Sequence, residues 1–362
     1  MVLLAAGLSC QRSRGPVRIG VAFPTRNTPA IFMAVNEVNA RGGIGGRPLT
    51  VVLDTIPVAA EPADLEIRRA EYLVSRGVTA VIGHGGSRGS LAAAPVYNES
   101  GVVHVVPTGT SRLLANAGAW TLPMPPNDSV EGAFIAEWVR DVLGARTVAL
   151  FYVNDEYGIG LRDGVKAALV GGPVRILHEQ RFDVGSDMAV LTDAVLSADV
   201  PDVAVVAGRT AQTAQTAQVA RRLAQRRVRT RVMAGDGALT LPDLADLAGE
   251  GGDGILVATF WLPVPGDSID RRFTRQFQQR VGRPVTATDA MLYDATHVLA
   301  RAMDEAGTEP ARVRDYLLSL GLRRPRHRGV TGDIGFGPGA GPPRLVMAEI
   351  RGRDALRAGE AP

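Results

Sequence analysis

Val35-Asn36-Glu37-Val38-Asn39-Ala40-Arg41-Gly42-Gly43-Ile44-Gly45-Gly46-Arg47-Pro48-Leu49 reads as the end of a helix, a glycine-rich reversal and the mouth of a strand. Glycine supplies the left-handed backbone that ends a helix without a Cβ penalty, so the Gly pairs mark the reversal. Pro48 cannot prolong a helix, and the apolar run Leu49–Asp54 starts behind it as a strand. Outward from this stretch the same alternation continues. Upstream, Val17–Phe23 is a strand ending at Pro24, and Ala30–Arg41 has helical periodicity. Downstream come helix Ala63–Ser75, strand Thr79–Ile82, helix Ser90–Ser100 and strand Val102–Val106. Strand and helix in strict alternation predict a parallel, doubly wound sheet.

Leu122-Pro123-Met124-Pro125-Pro126-Asn127-Asp128 interrupts the rhythm with prolines that no helix accepts, which suits a chain crossing between domains. The rhythm then restarts: helix Val130–Leu143, strand Thr147–Val153, helix Ile159–Val170, strand Val174–Phe182, helix Ala189–Ser197, strand Val203–Ala207, helix Thr210–Arg226, strands Arg231–Ala234 and Gly254–Thr259. A second break, Thr259–Gly266, precedes helices Ile269–Val281, Asp289–Glu305 and Ala311–Leu320, and strands near Asp333–Phe336 and Leu345–Arg351 close the chain. The three late helices need a sheet to cover, and the first one is under-covered. The pattern predicts an α/β protein of two lobes built on doubly wound parallel sheets and joined by more than one crossing, with a ligand cleft beyond the carboxyl ends of the strands. The expected division is a leader and tether over 1–15, one lobe from 16–123 plus 260–330, a second from 124–259 plus 331–352, and a tail over 353–362. The Ala-Gln-Thr triplets at 211–216 read as helix surface without function.

The composition excludes several classes. Forty basic residues against 37 acidic leave a net charge of +3, and the basic residues are spread along the chain, so no nucleic-acid partner is expected. Their one cluster, Arg323-Arg324-Pro325-Arg326-His327-Arg328, reads as a solvated loop. Five isolated histidines and one cysteine offer no metal set, no disulfide is possible, and the Gly-rich segments fit neither a dinucleotide fingerprint nor a P-loop; no cofactor is expected. The apolar stretch Met1–Ser9 before Cys10 is too short to span a membrane and is similar to the end of a bacterial lipoprotein signal peptide. The expectation is export and lipidation at Cys10, with membrane attachment through that anchor alone.

The Asn36–Pro48 segment closely resembles the stretch after the first helix in leucine/isoleucine/valine-type periplasmic binding proteins of ABC transporters. Further resemblances follow in the same order: Ala80-Val81-Ile82-Gly83 with Ser87 and Ala92–Val96, Asn154–Gly158, Pro201-Asp202-Val203, Tyr293-Asp294-Ala295, and Gly329–Phe336. The resemblance implies the type I fold, with two Rossmann-like lobes, three hinge crossovers, a ligand in the cleft and a membrane permease as partner. Pro24–Pro29 is shorter than the family's first loop.

Gly83-His84-Gly85-Gly86-Ser87 joins a strand to a helix, and free N–H groups at a helix start suit a carboxylate. Ser87 adds a hydroxyl there, or serves as the helix cap. By resemblance, Thr108 and Thr110 supply further contacts, Tyr157 lays its ring over the ligand and Asp236 receives an ammonium. Arg209 pairs with an acidic ligand group or is solvated, and Trp261 lines the cleft or packs the hinge. A zwitterion needs partners at both poles when buried, so this set implies an α-amino acid or a related polar solute. Two other readings compete. A sensor of the same fold would use the same pocket. A serine hydrolase would use Ser87 within Gly85-Gly86-Ser87-Arg88-Gly89, with His297 or His327 as base and Asp236 or Asp294 as acid.

Overall fold

The structure, a computed structural model, describes residues 15–54, 62–209, 213–238, 243–264, 266–341 and 344–359. Cys10 and the apolar stretch before it lie outside the described residues.

The chain opens with β1 (Val17–Ala22), α1 (Pro29–Ala40), β2 (Leu49–Leu53), α2 (Pro62–Ser75), β3 (Ala80–Gly83), α3 (Ser87–Ser100), β4 (Val103–Val106) and β5 (Thr121–Pro123). These five strands form one wholly parallel sheet in the order β2-β1-β3-β4-β5. The strand β5 falls where the proline-rich crossing was expected to begin: Thr121 and Leu122 pair with His104 and Val105 before Pro125 and Pro126 end the sheet. Alternation along β1 puts Val17, Ile19 and Val21 on one face, with Gly20 against Leu73 and Val81 on the other.

After the crossing come α4 (Asp128–Glu137), β6 (Thr147–Val153), α5 (Glu156–Leu169), β7 (Arg175–Phe182), α6 (Met188–Ala198), β8 (Val203–Ala207), α7 (Thr213–Gln225), β9 (Arg231–Ala234), α8 (Asp243–Ala248) and β10 (Leu256–Thr259). The final third holds α9 (Ser268–Val281), α10 (Ala287–Ala306), α11 (Pro310–Ser319), β11 (His327–Gly329), β12 (Gly332–Ile334), β13 (Val346–Arg351) and β14 (Asp354–Arg357). The second sheet runs β14-β13-β10-β9-β8-β6-β7. The five strands from β10 to β7 are parallel, but β13 enters beside β10 antiparallel, and β14 follows through a tight turn at Gly352. Residues read as a tail thus add an edge strand.

The core of the first lobe unites Ile19, Ile31 and Val35 with Phe273, Phe277, Leu292, Val313 and Leu317, so the three late helices do cover the first sheet. The second sheet carries α6, α7 and α8 on one face and α4 and α5 on the other. Thr216 and Ala217 of the Ala-Gln-Thr tract are buried on α7, which corrects the surface reading. Three crossings join the lobes, between β5 and α4, between β10 and α9, and between β12 and β13.

Candidate ligand-binding site

A cavity of about 200 Å³ opens between the lobes, lined by Ser87, Thr108, Thr110, Tyr157, Arg209 and Asp236. The structure therefore brings together six of the seven residues singled out from sequence. Trp261 is not among them. Its ring is buried in the first lobe's core, 6.1 Å from Phe273, and its Nε1 donates to Asp270 Oδ1 at 3.3 Å. Successive side chains of an extended segment point opposite ways, so Phe260 takes the cleft and Trp261 the core.

On the first lobe, Gly86 rather than Ser87 occupies the cap position of α3, with φ +128°, a conformation that favours glycine. Gly85 and Gly86 leave the helix start uncovered by side chains where it lines the cavity. Ser87 sits one residue inside, buried, and its Oγ accepts from the N–H groups of Thr110 and Ser111 at 3.2 and 3.1 Å. With both lone pairs engaged, the hydroxyl proton remains to be donated. A hydroxyl donor beside a positive helix end is a receptor for a carboxylate.

The loop is anchored from beneath. His84 lies fully buried, its Nδ1 against Glu66 and its Nε2 2.9 Å from the Tyr97 hydroxyl, while His104 Nε2 donates to the Gly83 carbonyl at 2.8 Å. Burial, and then His84, hold the His104 pKa well below its ordinary value. Parallel pairing of β3 with β4 brings the two imidazoles to 5.7 Å, so these histidines are not isolated, as the sequence suggested.

On the second lobe, Asp155 caps α5, its Oδ1 accepting from the N–H groups of Tyr157 and Gly158 at 3.1 and 2.9 Å. Its Oδ2 stands 2.6 Å from Arg209 Nε, so the Arg209 charge is already answered from within the protein. Asp236 follows β9 and donates its N–H to Glu131 Oε1 at 2.7 Å. Gly235 makes this approach possible, because a Cβ there would lie 2.3 Å from the Tyr157 hydroxyl and 2.9 Å from Glu131 Oε1. Burial pushes the Asp236 pKa up to about 6, against the pull of Tyr157 and Glu131. Glu131 is wholly enclosed, and burial followed by repulsion from Asp236 raises its pKa well above the ordinary range. Both carboxyls thus hold their protons more tightly than usual, and Asp236 is the one that lines the cavity. Asp128 behind them is pushed to about 7 by burial, opposed by the Thr110 hydroxyl.

Glu131 and Asp128 escaped the sequence reading because Asn127-Asp128-Ser129-Val130-Glu131 has the composition of an ordinary capped helix start. Phe23, Pro24, Arg26, Thr288 and Met291 also line the cavity and were missed. Their signal was the short first loop and the Thr286–Asp289 capping box of α10. Among the described residues no histidine lines the Ser87 cavity. His297 instead contacts Glu37, at 3.3 Å, and Asp294 accepts from the N–H groups of Val330 and Thr331. The base required by a hydrolase is not beside this serine.

Two α/β lobes, three crossings and a polar cavity between them define the class of proteins that close on a small solute. A family model described as periplasmic binding protein matches residues 26–347, and the chain belongs to that family of extracytoplasmic solute-binding proteins. Leu/Ile/Val-binding protein homolog 2 of Brucella abortus (strain 2308) is 28% identical over 352 residues, spanning 92% of this chain and 90% of that protein. The ABC transporter substrate-binding protein from Desulfitobacterium hafniense, solved in complex with Leu, superposes with a TM-score of 0.79 at 25% identity, covering 94% of this chain and 100% of that one. The fold is also shared with the branched-chain amino acid transporter substrate binding protein LivJ from Streptococcus pneumoniae, solved with isoleucine, at TM-score 0.82 and 21% identity over 94% and 97% of the two chains.

Proposed function

We infer that the chain captures an α-amino acid, or a close relative with the same two poles, as the solute-binding component of an ABC importer. The observation that carries this reading is the opposition of two receptors across one cavity. The α3 start with Ser87 and Thr110 is suited to a carboxylate, and Asp236 is suited to an ammonium. Phe23, Pro24, Phe260 and Met291 leave an apolar wall for the rest of the solute. Tyr157 lies along the cavity beside Asp236, and Arg209 locked to Asp155 shapes its rim rather than seeking an anion. Closure moves the lobes about the three crossings, after β5, after β10 and after β12, and the closed form is what a membrane permease would receive. Attachment through a lipid at Cys10 would keep the protein beside that permease.

Thermal melting of residues 16–362 against amino acids, small amides and organic acids tests the reading. A ligand at 100 times its Kd should add roughly 2.7 kcal/mol of stability. A shift with any α-amino acid that disappears when its ammonium is acetylated is the expected result. No shift with any compound bearing both poles would overturn the assignment.

A further inference from the structure

A second and larger cavity, of about 710 Å³, lies at the hinge. Thr110, Phe260 and Met291 line both cavities. All three crossings contribute to its walls: Pro125 and Pro126 from the first, Phe260 from the second, and Gly335, Gly341 and Arg344 from the third. Three guanidinium groups face it, Arg326, Arg328 and Arg344, against the single carboxylate of Asp333. Two of the three arginines belong to the basic cluster read from sequence as a solvated loop.

The arginines differ in how their charge is met. Arg328 is shared between Asp267 and Asp333, at 3.4 Å each. Half-buried Arg326 spends only its Nε, on the Gly339 carbonyl at 3.1 Å. Arg344 folds over Gly332, where an added Cβ would lie 2.9 Å from its Nη1. Among the described residues neither Arg326 nor Arg344 has a carboxylate within ion-pair distance, although the Asp267 carboxyl, held low first by the Ile269 and Asp270 amides, is helped down by Arg344 from farther off. Two planar donors without a direct partner, beside an apolar surface of Pro125, Val130 and Phe260, make a receptor for an anion with a carbon body. The volume is that of a small-molecule pocket, not of a bare ion site.

We propose that the hinge cavity is a second binding site, for a small organic dianion bearing two carboxylates, or a carboxylate and a phosphate. Its charge sits between Arg326 and Arg344, and its carbon body lies on Pro125, Val130 and Phe260. Arg326 leads into β11, whose hairpin is tied to the first lobe through Asp294 and Val330. Arg344 leads into β13 of the second sheet. An anion held by both therefore links the lobes across the hinge, and by linkage it biases whichever hinge angle it fits better.

The test is isothermal titration of the full chain with succinate, glutarate, 3-phosphoglycerate and inorganic phosphate, at constant ionic strength, with chloride as the reference. Wild type, Arg326→Gln, Arg344→Gln and Asp236→Asn are compared, and ligand-free melting checks that each is folded. The expected result is saturable binding of at least one organic dianion, weakened tenfold or more in both arginine variants and unchanged in Asp236→Asn. Inorganic phosphate should bind at least tenfold more weakly, because it leaves the apolar wall uncovered. Absence of binding beyond the chloride reference would overturn the proposal. So would binding indifferent to both arginines, or binding strengthened tenfold or more in Asp236→Asn, since loss of that carboxylate's repulsion would place the anion in the cleft between the lobes.

Discussion

At Asp236 three conditions meet: a covered carboxylate, a second buried carboxyl beside it and an opening to the cleft. Burial raises the pKa of both Glu131 and Asp236, so carrying two charges is disfavoured and the pair is suited to a single ammonium. Asp236→Asn should weaken amino-acid binding by about 1–3 kcal/mol, since it leaves a buried ammonium without its counter-charge; titration calorimetry at pH 7.5 would measure it. With the Asp236 pKa near 6, affinity in the wild type should fall by up to about tenfold per pH unit below that value, while the Asn variant stays flat over the same range. Ser87→Ala should behave differently. It removes a donor to the ligand and also the acceptor for two buried amides, so both affinity and ligand-free stability should drop, the latter by about 1–3 kcal/mol. A variant with lost stability and intact affinity would show that Ser87 serves the loop alone.

Among the elements, α4 and α5 form the tightest contact that matters to the site. A Cβ on Gly132 would lie 2.5 Å from the backbone of Gly164, and one on Gly164 would lie 2.5 Å from the Asp128 carbonyl. This closeness sets Glu131 of α4 against Tyr157 of α5. Gly164→Ala should cost about 1–3 kcal/mol of stability through overpacking, read by denaturant unfolding, and should weaken the ligand because the two helices must separate. Most elements were legible in the sequence, since apolar periodicity and Gly/Pro punctuation are local signals. Thr121–Pro123 was not, because three residues beside prolines carry no periodicity, and Asp354–Arg357 was hidden in a polar tail that only the hairpin with β13 makes a strand. The site was legible on the loops after β3, β4, β6, β8 and β9. It was illegible at Glu131, whose role arises from a contact 105 residues away in sequence, and at Trp261, where one step along an extended segment exchanged core for cleft.

For the whole molecule, the unliganded cleft carries the cost of carboxylates held away from water. Asp128 and Asp236 bind protons more tightly folded than unfolded, with pKa values raised to about 7 and about 6. Their stabilising contribution is complete below the ordinary carboxylate range and is lost as pH rises through those values. The ligand-free melting temperature should therefore decline from pH 5 to pH 8, and Asp128→Asn should flatten that slope. Below about pH 4.5 the trend reverses, because Glu37 and Glu66, held low chiefly by hydrogen bonds to His297 and His84 against the opposing effect of burial, become protonated. The interleaved chain path has a bearing on biogenesis as well. The core around Ile19 and Ile31 is completed by Phe273, Leu292 and Leu317, so the amino-terminal sheet stays half-covered until nearly the entire polypeptide has been synthesised. During that interval its apolar face stays open to solvent, and the growing chain is exposed to off-pathway association.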